Sequence, residues 1–168
     1  MRYKKILAAI DCSPQAPAVF EQALEVAKRE NASLMLFHCL PIEVKGTSLY
    51  ADIYDPAMSF YNHLQTQLNE DKEEAQGLLE GYCQRAIAQG VSTEWEFQVG
   101  DAGSAIRDFT KTWNADLVVI GRRGRQGIAE VFLGSVSNYI VHNVSCSVLV
   151  VQGISPQKVE ETSQVGTD

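Results

Sequence analysis

Short apolar runs alternate with amphipathic stretches along this chain, and that alternation limits its fold more than any other feature. Lys4 to Ile10 is apolar enough for a buried strand. Asp11-Cys12-Ser13-Pro14 follows, offering a serine to cap a helix and a proline for its first position. Val19, Phe20, Ala23, Leu24 and Ala27 then recur at helical spacing, which predicts an amphipathic helix over Pro14 to Glu30. Ser33 to Cys39 reads as the second strand, closed by Pro41.

Residues 41 to about 60 break the rhythm with Gly46, Pro56 and no clean period, as a functional or mobile connection would. A long helix is predicted from about Tyr61 to Gln89, with Leu64, Leu68, Ala75, Leu79, Tyr82 and Ala86 on one stripe. Asp71 interrupts that stripe, so the first turns are expected to hang off the core. Val91 to Val99 alternates as a half-buried strand. Gly100-Asp101 is expected to cap a third helix, facing inward with Ile106, Phe109 and Trp113. Asp116 to Ile120 is the fourth strand. A short helix from Ser135 follows with Val136, Ile140 and Val144 inside, and Ser147 to Gln152 is the fifth strand. The polar residues 153–168 are expected to form a frayed tail, leaving one domain over 1–152.

Five strands of this kind, alternating with four helices, demand a five-stranded parallel sheet covered on both faces, a doubly wound α/β fold. Ligands of such sheets sit beyond the carboxyl ends of the strands, where the winding reverses. If the first and fourth strands are central neighbours, Asp11 and the loop after Ile120 meet at that crevice.

That loop carries the chemistry. Gly121-Arg122-Arg123-Gly124, nine residues, then Gly134-Ser135 follow the fourth strand. Gly121 and Gly124 let the backbone turn sharply and approach a ligand closely. Gly134-Ser135 opens a helix whose free N–H groups and positive dipole end favour an anion. Arg122, Arg123 and Arg125 concentrate positive charge here in a chain of net charge −7. A phosphate is the economical reason. The overall negative charge argues against broad binding to nucleic acid or an anionic membrane.

The opening apolar run ends at Asp11, too short for a signal peptide, and no run reaches membrane-spanning length. Cys12, Cys39, Cys83 and Cys146 show neither CxxC pairing nor metal spacing, which fits a reduced cytoplasmic protein. Cys12 and Cys39 fall near the expected crevice but lack the flanking cations of a reactive thiol. His38, His63 and His142 are scattered and read as structural or surface residues.

The spaced motif Gly121-x2-Gly124-x9-Gly134-Ser135 resembles the nucleotide-binding motif of the universal stress protein family, in its ATP-binding branch. Ile10-Asp11-x-Ser13, Phe37-His38-Cys39 and Gly100-Asp101 match further landmarks, and the likeness spans about Tyr3 to Val151. The resemblance implies a Rossmann-like sheet of the adenine nucleotide alpha-hydrolase type, with strand order 3-2-1-4-5. Asp11 would contact ribose or help hold a metal such as Mg, and the backbone around Cys39 would pair with the adenine edge. Gly121 and Gly124 would wrap ribose and phosphates. Gly134, Ser135 and Val136 would supply N–H groups, with hydroxyls from Ser135 and Ser137. Apart from the resemblance, one or two of the three arginines, Arg122 among them, are expected to reach phosphate. The resemblance further implies a homodimer through the fifth strand, Val148 to Val151, whose apolar edge invites pairing. Segment 41–60 is variable in the family, so nothing transfers to it.

ATP is the expected ligand, with AMP, a cyclic nucleotide or another adenine nucleotide as alternatives. Hydrolysis needs an oriented water, a base and charge compensation. The loop has no GxxxxGK[ST], and Glu130 within it has no evident role, so no catalytic residue is assigned. Any turnover should be slow. A flavodoxin-like carrier would need a phosphate loop after the first strand, where Asp11-Cys12-Ser13-Pro14 stands. A phospho-receiver would need an acidic cluster there and a lysine after the fifth strand, where Gln152-Gly153 stands. A ligand-independent dimeric interaction protein remains as the other class. The expected role is stress sensing or regulation through nucleotide-dependent conformation and dimerisation.

Overall fold

The central apolar runs become strands because both their faces are buried, and the amphipathic stretches become the helices that cover them. A computed structural model describes residues 2–42, 56–122 and 133–152. In chain order the elements are β1 (Lys5–Ala9), α1 (Ala16–Glu30), β2 (Ser33–Leu40), α2 (Pro56–Ala88), β3 (Thr93–Val99), α3 (Ala102–Trp113), β4 (Leu117–Gly121), α4 (Ser135–Asn143) and β5 (Ser147–Val151). The strands form one sheet in the order β3-β2-β1-β4-β5, every pairing parallel. The expected topology is thus present. The tail 153–168, most of 41–60, and Arg123, Gly124, Arg125 and Glu130 lie outside the described residues.

Alternation along the strands divides the core in two. Ile6, Ala8, Leu36 and Val119 face α1 and α2, packing on Phe20, Leu24 and Leu79. Leu7, Phe37, Val118 and Ile120 face α3 and α4, packing on Ile106 and Ile140. Phe109, Trp113, Val136 and Val144 are half-buried against this second cluster.

Two helix starts differ from the sequence expectation. α1 begins at Ala16, not Pro14, because the Ser13 hydroxyl donates to Asp11 Oδ1 while accepting the Gln15 N–H at 3.2 Å. Those bonds hold 13–15 as a turn, and Pro17 serves the first helical turn instead. α2 begins at Pro56 rather than Tyr61, since a proline needs no N–H partner in a first turn. α4 begins at Ser135 as expected, with Gly134 at its cap in extended backbone, at φ −61° and ψ 161°.

The first turns of α2 do hang off the core. Met58, Phe60 and Tyr61 are exposed, and full burial begins at Ala75.

Asp101 caps α3 as expected, accepting the Ser104 N–H at 2.9 Å. That backbone bond first, and the Ser104 side chain second, hold its carboxyl below the ordinary aspartate range. Because the folded form prefers the carboxylate, the contribution is present above the unfolded aspartate value and disappears as pH falls through the folded one. Asp101→Ala is therefore expected to cost about 1 kcal/mol at pH 7. Urea unfolding at decreasing pH should show the wild-type and variant curves converging below pH of about 4. A constant gap would contradict the cap.

Candidate functional site

β1 is flanked by β2 on one side and β4 on the other, so the winding reverses between β1 and β4. Their register pairs Ala9 with Ile120. Asp11, two residues beyond Ala9, and Gly121-Arg122, directly beyond Ile120, therefore leave the sheet at the same crevice. The β4 side is closed by β5, with Gly121 opposite Val151.

Asp11 is half-buried and fixed. Its Oδ1 accepts the Ser13 N–H at 3.0 Å and the Ser13 hydroxyl at 2.5 Å. The second carboxylate oxygen has no hydrogen-bond partner among the described residues. Ser13 was assigned to a cap from the sequence; its spacing from Asp11, two residues, is the Asx-turn signal that locates this role.

The loop returns to α4 through a closed set of bonds. Arg122 N–H donates to Val151 O at 2.9 Å, and Gly134 N–H donates to Arg122 O at 2.8 Å. The Ser137 hydroxyl, buried inside the turn, reaches Arg122 O at 2.9 Å and Gly134 O at 3.0 Å. Gly134 and Ser137 thus spend an amide and a hydroxyl on closing the loop. The amides of Ser135, Val136 and Ser137 open α4 and have no acceptor among the described residues. These orphaned donors at a helix N-terminus suit an anion. The Arg122 guanidinium donates to Gln152 Oε1 at 3.0 Å, a partner the sequence does not reveal.

Cys39 sits near the end of β2, buried, with its thiol toward Gly100 O at 3.5 Å. Burial first, and the negative charge of Asp101 second, push its pKa up, so it stays a thiol at neutral pH. His38 beside it is buried, with Nδ1 2.7 Å from Ile10 O, and ties the ends of β1 and β2 together. That is the structural role expected of it. Among the described residues no group of three or more His, Cys, Asp or Glu could hold a metal ion. Among the described residues Asp11 is the carboxylate placed at the crevice.

A sequence model of the universal stress protein family matches residues 2–152. The chain is 45% identical over 153 residues to universal stress protein Sll1388 of Synechocystis sp., covering 90% of this chain and 99% of that protein. Universal stress protein UspA from Lactobacillus plantarum shares the fold with a TM-score of 0.75 at 26% identity, over 90% of this chain and 99% of that one. A universal stress protein family protein from Arabidopsis thaliana, solved with AMP bound, has the same fold at a TM-score of 0.62 and 19% identity, over 94% and 97% of the two chains.

Proposed function

Because the chain belongs to the universal stress protein family, we propose that it binds an adenine nucleotide at the crevice between β1 and β4, as a member of the ATP-binding branch. The observation that carries this reading is the trio of amides at Ser135, Val136 and Ser137, without an acceptor among the described residues and beside the point where the sheet reverses. The AMP held by the Arabidopsis protein of this fold supports the choice of ligand class.

In this reading the amides hold the phosphates, joined by the Ser135 hydroxyl and the Arg122 guanidinium. Gly121 and Gly124 admit the backbone close to ribose and phosphate. Asp11, held by Ser13, takes the ribose through its second oxygen or shares a Mg ion with ATP. The backbone around Cys39 meets the adenine edge. The Gly134 amide and the Ser137 hydroxyl act indirectly, by closing the turn that presents the amides.

Binding rather than turnover is the proposed activity. Several dipole and charge contacts of about 0.3–1 kcal/mol each suit reversible recognition. The half-buried edge strand Val148 to Val151 is the proposed homodimer surface. Nucleotide-dependent conformation and dimerisation would then make the protein a cytoplasmic stress sensor or regulator. No helix among the described residues is long and apolar enough to cross a membrane.

Calorimetric titration with ATP, with and without Mg, and with AMP tests the proposal. A Kd in the micromolar range, roughly −8 kcal/mol, is expected for at least one of them. Absence of binding heat, together with no adenine compound in an acid extract of the purified protein, would reject it.

A further inference from the structure

We infer that Gly103, acting through Tyr139 and Arg107, is a positioning residue for the phosphate-facing first turn of α4. The inference rests on the nucleotide reading above.

Gly103 lies buried in the first turn of α3, against α4. A Cβ there would stand 2.9 Å from Tyr139 Cδ1 and 3.2 Å from Cγ. Cγ is the root of the ring, not a free end, so relief would require the whole side chain or its backbone to move. The ring is also held at its tip: the Tyr139 hydroxyl accepts a hydrogen bond from Arg107 Nη1 at 2.5 Å, and the guanidinium carbon lies 5.8 Å from the ring centroid. Arg107 follows Gly103 by four residues on α3, one turn along the same face. Asp108 steadies it by accepting from Nε at 2.8 Å. Two groups of α3 thus grip one ring of α4.

A glycine in a helix interior costs about 1 kcal/mol relative to alanine, and whether an alanine would fit can be read position by position. At Gly77 and Gly81 of α2 it would, since a Cβ at either meets nothing within 4 Å. At Gly103 the Tyr139 ring stands in the way. Tyr139 follows Ser135 by one helical turn, and Ser137 between them is bonded to Arg122 O and Gly134 O. A push on Tyr139 therefore passes to the orphaned amides and to the loop carbonyls together.

The ratio of adenosine Kd to AMP Kd isolates the phosphate contribution and is the measurement of choice on the full chain. Gly103→Ala should lower that ratio about tenfold, the loss of one charge-assisted hydrogen bond, and change adenosine affinity by less than about twofold. In a Tyr139→Ala background the same change at position 103 should have no further effect. Tyr139→Phe, which keeps the ring and removes its Arg107 bond, should lower the ratio by about threefold and decides the matter if Gly103→Ala does not fold. The inference is overturned if a folded Gly103→Ala keeps the wild-type ratio, loses adenosine as strongly as AMP, or acts equally without the Tyr139 ring. An unchanged ratio in Tyr139→Phe also overturns it when that variant must decide. Wild-type protein that binds neither AMP nor ATP overturns the nucleotide reading and this inference with it; where only ATP binds, the ratio is taken with ATP in place of AMP. Wild-type binding with an unaffected Gly103→Ala ratio removes this inference alone.

Discussion

Ser135→Pro is expected to leave the protein as stable as before while weakening AMP or ATP binding about ten- to hundredfold, the 1.5–3 kcal/mol of a hydrogen bond to a charged group. Proline suits the first position of a helix, where its fixed φ is helical and its missing N–H bonds nothing within the helix. The preceding residue must be extended, and Gly134 already is, at φ −61° and ψ 161°. The change therefore deletes one donor from the proposed anion cradle without disturbing the helix that carries it. Ser135→Ala keeps the amide and removes only the hydroxyl, so comparing the two by calorimetry separates their contributions. Equal affinities for Ser135→Pro and wild type, with unaltered melting, would mean that this amide does not touch the ligand.

Phe20→Ala should have the largest effect on stability, a loss of about 3–5 kcal/mol in urea unfolding. The Phe20 ring is fully buried and stacks on Tyr82 with centroids 4.4 Å apart. The Arg85 guanidinium lies 5.0 Å from its centroid and pairs with Glu21 beyond it. This cluster joins α1 to the later turns of α2, where α2 meets the sheet. Domains of ordinary stability hold only about 5–15 kcal/mol in total, so the variant should be close to unfolding at 37 °C. Met58→Ala, at an exposed position in the early turns of the same helix, should change stability by less than about 0.5 kcal/mol. Similar midpoints for the two variants would contradict this division of α2.

Strands were legible because burial on both faces writes itself as continuous apolar runs. Ile6-Leu7-Ala8 and Leu117 to Ile120 leave no other reading. The edge strand β3 was legible for the opposite reason: Glu94 and Glu96 stay exposed and leave an alternation. Helix starts were less legible because a cap side chain can choose another partner. Ser13 turned to Asp11, a choice made by geometry two residues away. The crevice itself followed from topology, since placing β1 beside β4 brings Asp11 and Gly121 together. Its internal wiring did not. Arg122 O collects Gly134 N–H and the Ser137 hydroxyl, and no local spacing announces that closure. Gly103 is harder still, because its purpose is a ring far along the chain.

One clasp at the opposite end of the sheet bears on how the chain is made. Asp116 Oδ2 accepts the N–H groups of Lys4 and Lys5, joining positions up to 112 residues apart. On a ribosome, β1, α1 and β2 emerge early, yet the other edge of β1 stays open until β4 has been synthesised. At about 5–20 residues per second, that exposed apolar edge persists for several seconds in every nascent molecule. The middle strand of the finished sheet is thus the one that waits longest for its second neighbour, and chaperone demand should concentrate in that interval.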